Sequence, residues 1–145
     1  HDKLANLGAA MIIDYLNNYE NIKPIPQNNN LATYAHKIDK AEAQINFNED
    51  ASVIERKIRG FNPIPGCFTY LDNQRLIIWE ACVTEQITQL AAGTIIGHKD
   101  NYILIACGNN SVLKVTKLQL AGRKAQNTKA FCLGYPDLNG KILSF

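Results

Sequence analysis

The sequence predicts a mainly β protein with short helices: a small closed β barrel preceded by one amphipathic helix and an extended linker. Three observations carry this. Apolar residues recur at helical spacing through the first eighteen positions. A Pro- and Asn-rich stretch then interrupts the chain. Beyond Gly66 the apolar period falls from helical to alternating, with Gly, Asn and Asp turns between short runs.

The opening helix rests on Leu4, Leu7, Gly8, Met11, Ile12, Tyr15 and Leu16, which share one face. Asp2 is placed to cap its start and Asn17-Asn18 to end it. An apolar stripe needs burial, and no partner helix follows at short range. Residues 21–33 read as a linker, because Lys23-Pro24-Ile25-Pro26 favours extended backbone and Gln27-Asn28-Asn29-Asn30 offers nothing to a core. The expected division is therefore 1–20 for the helix, 21–33 for the linker and 34–145 for the barrel domain.

Within that domain, residues 34–47 are mixed in character. Asn48 or Asp50 then caps a short helix whose Ala51, Ile54, Ile58 and Phe61 share a face. Gly60 and Asn62-Pro63 end it. Strands are predicted over 67–71, 75–84, 93–98, 102–107 and 111–120, with Asp72-Asn73-Gln74 and Gly108-Asn109-Asn110 as turns. In the last of these strands Leu113 and Val115 share one phase and Leu118 and Leu120 the other, which predicts a β-bulge near Thr116-Lys117. A short helix capped by Asn127, anchored by Phe131 and closed by Gly134 follows, and residues 140–145 return as an edge strand.

The charge balance narrows the function. Residues 1–98 carry eight Lys and Arg against eleven Asp and Glu. Residues 99–145 carry seven against two, so their net charge is +5. A basic half in a nearly neutral chain fits either a face for a polyanion or a solvated surface. Phe68, Tyr70 and Trp79 sit in strands, where a core role is favoured over base stacking. No run approaches the roughly 20 apolar residues of a membrane helix. Cys67, Cys82, Cys107 and Cys132 are scattered, outside any C-x-x-C pair, which predicts free thiols in a reducing cytoplasm and no metal site. The start at His1, running straight into a helical pattern without Met, reads equally as a segment cut from a longer protein or as an engineered start.

Catalytic patterns are missing. There is no G-x-S-x-G, G-x-G-x-x-G or phosphate-binding loop, and His36 and His98 lack partners of the kind a base needs. Composition and spacing lead to a binding or accessory domain, with a free-standing enzyme using His36 or His98 as the weakest reading.

Three stretches resemble a known family. Residues 32–43, Ala-Thr-Tyr-Ala-His-Lys-Ile-Asp-Lys-Ala-Glu-Ala, are similar to the interdomain junction of methionyl-tRNA formyltransferases. Ile58-Arg59-Gly60-Phe61-Asn62-Pro63-Ile64-Pro65-Gly66 resembles the family's I-R-A-F-N-P-W-P-G, departing at Gly60 and Ile64. Leu118-Gln119-Leu120-Ala121-Gly122-Arg123-Lys124 resembles L-Q-x-A-G-K-K. The resemblance runs from the first helix to the tail. It implies an OB-like Greek-key barrel that helps hold initiator methionyl-tRNA. It also implies a preceding catalytic domain, using 10-formyltetrahydrofolate, of which residues 1–20 form the last helix. No catalytic residue or cofactor site of that family maps onto this chain, so the chain alone is expected to be inactive. The expected tRNA contacts are Lys37, Lys40, Arg59, Lys114, Lys117, Arg123 and Lys124. The alternative is a structural accessory domain, as in related formyltransferases acting on sugar nucleotides or in formyltetrahydrofolate dehydrogenases.

Overall fold

A computed structural model describes residues 2–99 and 101–145. The chain divides into two compact units, 1–36 and 37–145.

In the first unit, helix α1 spans Asp2–Asn18 and presents no buried residue; Leu4 is 73% exposed and Met11 and Leu16 are also open to solvent. Asp2, expected as the cap, is instead the first residue of the helix, within its first turn. Single 3₁₀ turns follow at Tyr19–Asn21 and Asn29–Leu31, the second held by the Asn28 side chain, which accepts from the Asn30 N–H at 3.0 Å. The segment between them has no regular structure, as the alternating prolines require.

The second unit begins with a 3₁₀ turn at Lys40–Ala43. Asp39 caps it and Glu42 bonds back to the Asp39 N–H at 2.7 Å, a reciprocal capping box. Helix α2, Ala51–Gly60, starts where the Asp50 carboxylate accepts from the Ser52 N–H at 2.8 Å, and it buries Ala51, Ile54 and Ile58. The Asn62–Pro63 and Ile64–Pro65 bonds that follow are both cis.

Six strands come next: β1 (Phe68–Leu71), β2 (Gln74–Val83), β3 (Ile95–Lys99), β4 (Tyr102–Ala106), β5 (Val112–Leu120) and the short β6 (Gln126–Asn127). Helix α3, Thr128–Gly134, is capped by Asn127 and buries Phe131, as expected. The spatial order β1-β2-β5-β4-β3, with every pair antiparallel, makes β2 to β5 a Greek key: three hairpin-linked strands and a fourth joined by a long connection.

The sheet closes through the tail. Residues 140–144 hydrogen-bond to β3 on one side, through Ile95 N–H to Lys141 at 2.8 Å. On the other they bond to β1, where Tyr70 and Ser144 exchange bonds of 3.1 and 2.9 Å. The tail was expected as an edge strand and is instead the seam of the barrel.

The expected bulge is present. Ile78 pairs with Leu118 and Ala81 with Val115, and the register shifts between them. Thr116 is the unmatched residue in β5 and Trp79 in β2. Two compensating slips keep both strands paired, so Leu113, Val115, Leu118 and Leu120 all point inward, Leu118 only 1% exposed. They meet Ile54, Ile58, Leu76, Ile78, Ile103, Ile105, Phe131 and Leu143 in one core.

Candidate nucleic-acid interface

The seven expected contact residues do not form one patch. Lys37 and Lys40 flank a shallow hollow with Ile38 and Asp39 beside the capping-box turn. Arg59, on the last turn of α2, lines a different hollow with Asn62, Trp79 and Glu80. It is already paired: its Nε donates to Glu55 at 3.1 Å, one helical turn away. That hydrogen bond, with the attraction of the same carboxylate, holds the Arg59 guanidinium above its ordinary pKa. Lys117 is paired as well, with Glu80 at 3.2 Å across the bulge. Arg59 and Lys117 thus approach the same side of the barrel, each with its own carboxylate.

Lys114 is half-buried and lies over the Tyr102 ring at 4.5 Å, a cation–π contact that holds it against the sheet.

Arg123 and Lys124 differ from these. They sit at the β5–β6 turn, are exposed, and form no ion pair among the described residues. The turn is built by its neighbours. Leu118 and Leu120 are buried, Gly122 takes a φ of +75° that side chains disfavour, and the Arg123 N–H returns to the Leu120 carbonyl at 3.0 Å. Between the two leucines, Gln119 points outward. It accepts from the Trp79 indole at 2.9 Å and donates to the Arg123 carbonyl at 2.7 Å. The segment resembling L-Q-x-A-G-K-K is thereby a mechanical unit: leucines anchor it, glutamine braces it, glycine turns it, and two cations project from its tip.

Sequence reading missed Arg75. Its carbonyl accepts from the Ala121 N–H at 2.8 Å, which sets it beside the same turn, and its guanidinium lies 3.8 Å over the Phe68 ring. Phe68 is therefore buried and covered, and Trp79 is half-buried and bonded to Gln119, so neither presents a free face of the kind base stacking needs. The signal for Arg75 was faint, an arginine at the exposed end of a strand, with the turn 46 positions away in sequence.

Residues 37–136 match the formyl transferase, C-terminal domain family. The chain belongs to this family. Methionyl-tRNA formyltransferases of Rickettsia canadensis and Rickettsia typhi are 41% and 42% identical to it, over 99% and 98% of its length; that of Acidovorax ebreus is 38% identical over 99%. The chain spans 46% of the length of each. Among solved structures, HypX from Aquifex aeolicus, including a complex with tetrahydrofolic acid, shares the fold at TM-scores of 0.67 and 0.66. The identity there is 14%, over 90% of this chain and about a quarter of HypX.

No group of three or more His, Cys, Asp or Glu among the described residues could hold a metal ion. Within the same residues no helix is long and apolar enough to cross a membrane.

Proposed function

We propose that this chain is the tRNA-binding portion of a methionyl-tRNA formyltransferase. The parent enzyme would move a formyl group from 10-formyltetrahydrofolate to the amino group of methionine on initiator tRNA, in the cytoplasm. Its chemistry would reside in a catalytic domain outside this chain, with residues 1–20 as that domain's last helix and 21–33 as the linker. The observation that carries this reading is the similarity of about 41% across nearly the whole chain to proteins bearing that name.

The residues would act by grip rather than by chemistry. Arg123 and Lys124, without an ion pair among the described residues and held on a braced turn, are the strongest candidates for phosphate contact. Lys37 and Lys40 offer a second basic point. Arg59 and Lys117 would have to exchange a carboxylate for a phosphate, which leaves less net gain. Binding of this kind is mostly sequence-independent and releases counterions.

The test is binding of bulk tRNA to this chain at low and high salt, with R123A/K124A beside it. Affinity should fall steeply between about 50 and 200 mM salt, and the double variant should bind more weakly with a salt slope smaller by roughly one to two units. The paired single variants R59A and K117A should lose less. Salt-insensitive or absent binding would favour the alternative, a structural accessory domain, and HypX shows that the same fold also occurs outside proteins named for tRNA.

A further inference from the structure

Three features lie outside the turn. The hollow shared by Arg59, Trp79 and Glu80 is lined by two carboxylates, Glu55 and Glu80, each already satisfied by a cation. Exposed Val83, Ile87 and Leu90 form an apolar stretch with nothing to identify an occupant. The third is a basic hollow between the end of β3 and helix α3.

His98, Lys99, Lys129, Cys132, Leu133 and Pro136 line this hollow. His98 and Lys99 are the last two residues of β3. Lys129, Cys132 and Leu133 lie at i, i+3 and i+4 on α3, so one face of that short helix supplies all three. The His98 Nε2 lies 3.4 Å from the Pro136 carbonyl, which links the strand end to the chain leaving the helix.

Two cations therefore face one depression, brought together from positions thirty residues apart. Among the described residues neither Lys99 nor Lys129 forms an ion pair, and no carboxylate lines the hollow. This reverses the arrangement around Arg59 and Lys117, where each cation has its own counterion. Besides the His98 imidazole, the remaining lining is Cys132, Leu133 and Pro136, and Leu133 is 83% exposed. Cation pairs beside an apolar shelf suit a phosphate with an attached ribose or base: ammonium groups take the charged oxygens, and the shelf takes the flat, less polar remainder.

We propose that this hollow is a phosphate subsite, occupied by a phosphodiester of a polynucleotide strand; its polynucleotide source rests on the tRNA reading above. It gives the barrel a further grip, separate in sequence from the Arg123-Lys124 turn and joined to it through β6 and α3.

The experiment compares this chain with K99A/K129A and with K99R/K129R. Backbone amide NMR follows addition of bulk tRNA and, separately, of inorganic phosphate, and tRNA affinity is measured in stepped salt. All four lysine substitutions are at exposed positions, and an unchanged amide spectrum elsewhere reports an intact fold. Added tRNA should shift the amides of Lys99, Lys129 and Cys132. K99A/K129A should bind tRNA roughly five- to tenfold more weakly, with a salt slope smaller by about one unit, and K99R/K129R should restore both. If the native chain binds tRNA but these amides stay still and K99A/K129A matches it, the subsite is overturned while the tRNA reading survives. If the native chain binds no tRNA, the tRNA reading fails, and phosphate decides the rest. Shifts at the same amides, lost in K99A/K129A, support the phosphate subsite for a free anion; no shifts overturn it.

Discussion

At the scale of single residues, burial decides which side chains can react. Cys67 and Cys107 are buried in the core, and burial pushes their thiols up to about 11 and about 12. Cys132, half-buried beside the basic hollow, is also raised by burial. Cys82, on the outer side of β2, is exposed. A thiol at about 11 holds roughly one thiolate in a thousand at pH 8. Iodoacetamide at that pH should therefore label Cys82 quickly, Cys132 slowly, and Cys67 and Cys107 only on unfolding, as peptide mass spectrometry would read. Comparable early labelling of Cys107 would contradict its burial. The same shifts set a pH dependence. The folded state holds these protons more tightly than the unfolded chain, so their stabilisation is complete below the ordinary thiol range near 9. It is lost as pH rises from there towards 11 to 12. Denaturation midpoints should fall across that window, and more shallowly in a C67A/C107A variant measured against its own value at pH 7.

At the scale of elements, backbone proximity constrains the hairpin between β4 and β5. The Gly108 N–H donates to both Phe47 and Glu49 carbonyls at 2.9 Å, tying the hairpin to the segment that leads into α2. A Cβ on Gly108 would lie 1.9 Å from the Asn48 carbonyl oxygen, a backbone atom that cannot swing aside. G108A should therefore cost several kcal/mol, about 3 or more, or prevent folding. Gly60, the last residue of α2, has open space where its Cβ would be. G60A should stabilise by roughly 0.4–1 kcal/mol, because alanine narrows the unfolded ensemble and favours helix. Urea denaturation of the two variants would separate these effects, and equal stabilities would refute the contrast.

Elements of this kind were legible when their signal was local. The phase change between Val115 and Leu118 revealed the bulge in β5, since a strand can bury both leucines only by inserting a residue. Its partner at Trp79 was hidden. Trp79 is apolar enough to pass as a core residue, and only pairing shows that β2 slips by one as well. The capping-box turn at Lys40–Ala43 was likewise missed, although Asp39 and Glu42 stand at the required spacing, because the segment lacks the apolar period that marks a helix. The cations were legible as a basic half, but not as pairs. Glu80 reaches Lys117 only through the register of β2 on β5, while Lys99 meets Lys129 only through the packing of α3.

For the barrel as a whole, the decisive question is whether the last six residues are part of the closed sheet or a loose end. Leu143 is 1% exposed in the core, while its neighbour Ile142 is 60% exposed, the alternation of a paired strand. The Leu143 N–H donates to the Gly93 carbonyl at 2.9 Å, Thr69 Oγ1 donates to the Ser144 carbonyl at 2.8 Å, and Phe145 meets Phe47 edge to face with centroids 5.4 Å apart. Lys141 adds an ion pair with Asp72 in the β1–β2 turn. Closure removes the free edges of β1 and β3, which would otherwise expose unpaired backbone groups. L143A should then cost about 2–5 kcal/mol, as for a leucine fully packed in a core. I142A should cost well under half as much, since little apolar area is lost. The amides of Tyr70 and Ile95, whose acceptors lie in the tail, should exchange slowly in the native chain and much faster in L143A. Equal costs for the two substitutions, with rapid exchange at Tyr70 and Ile95 before any mutation, would mean that the tail merely rests on an open sheet.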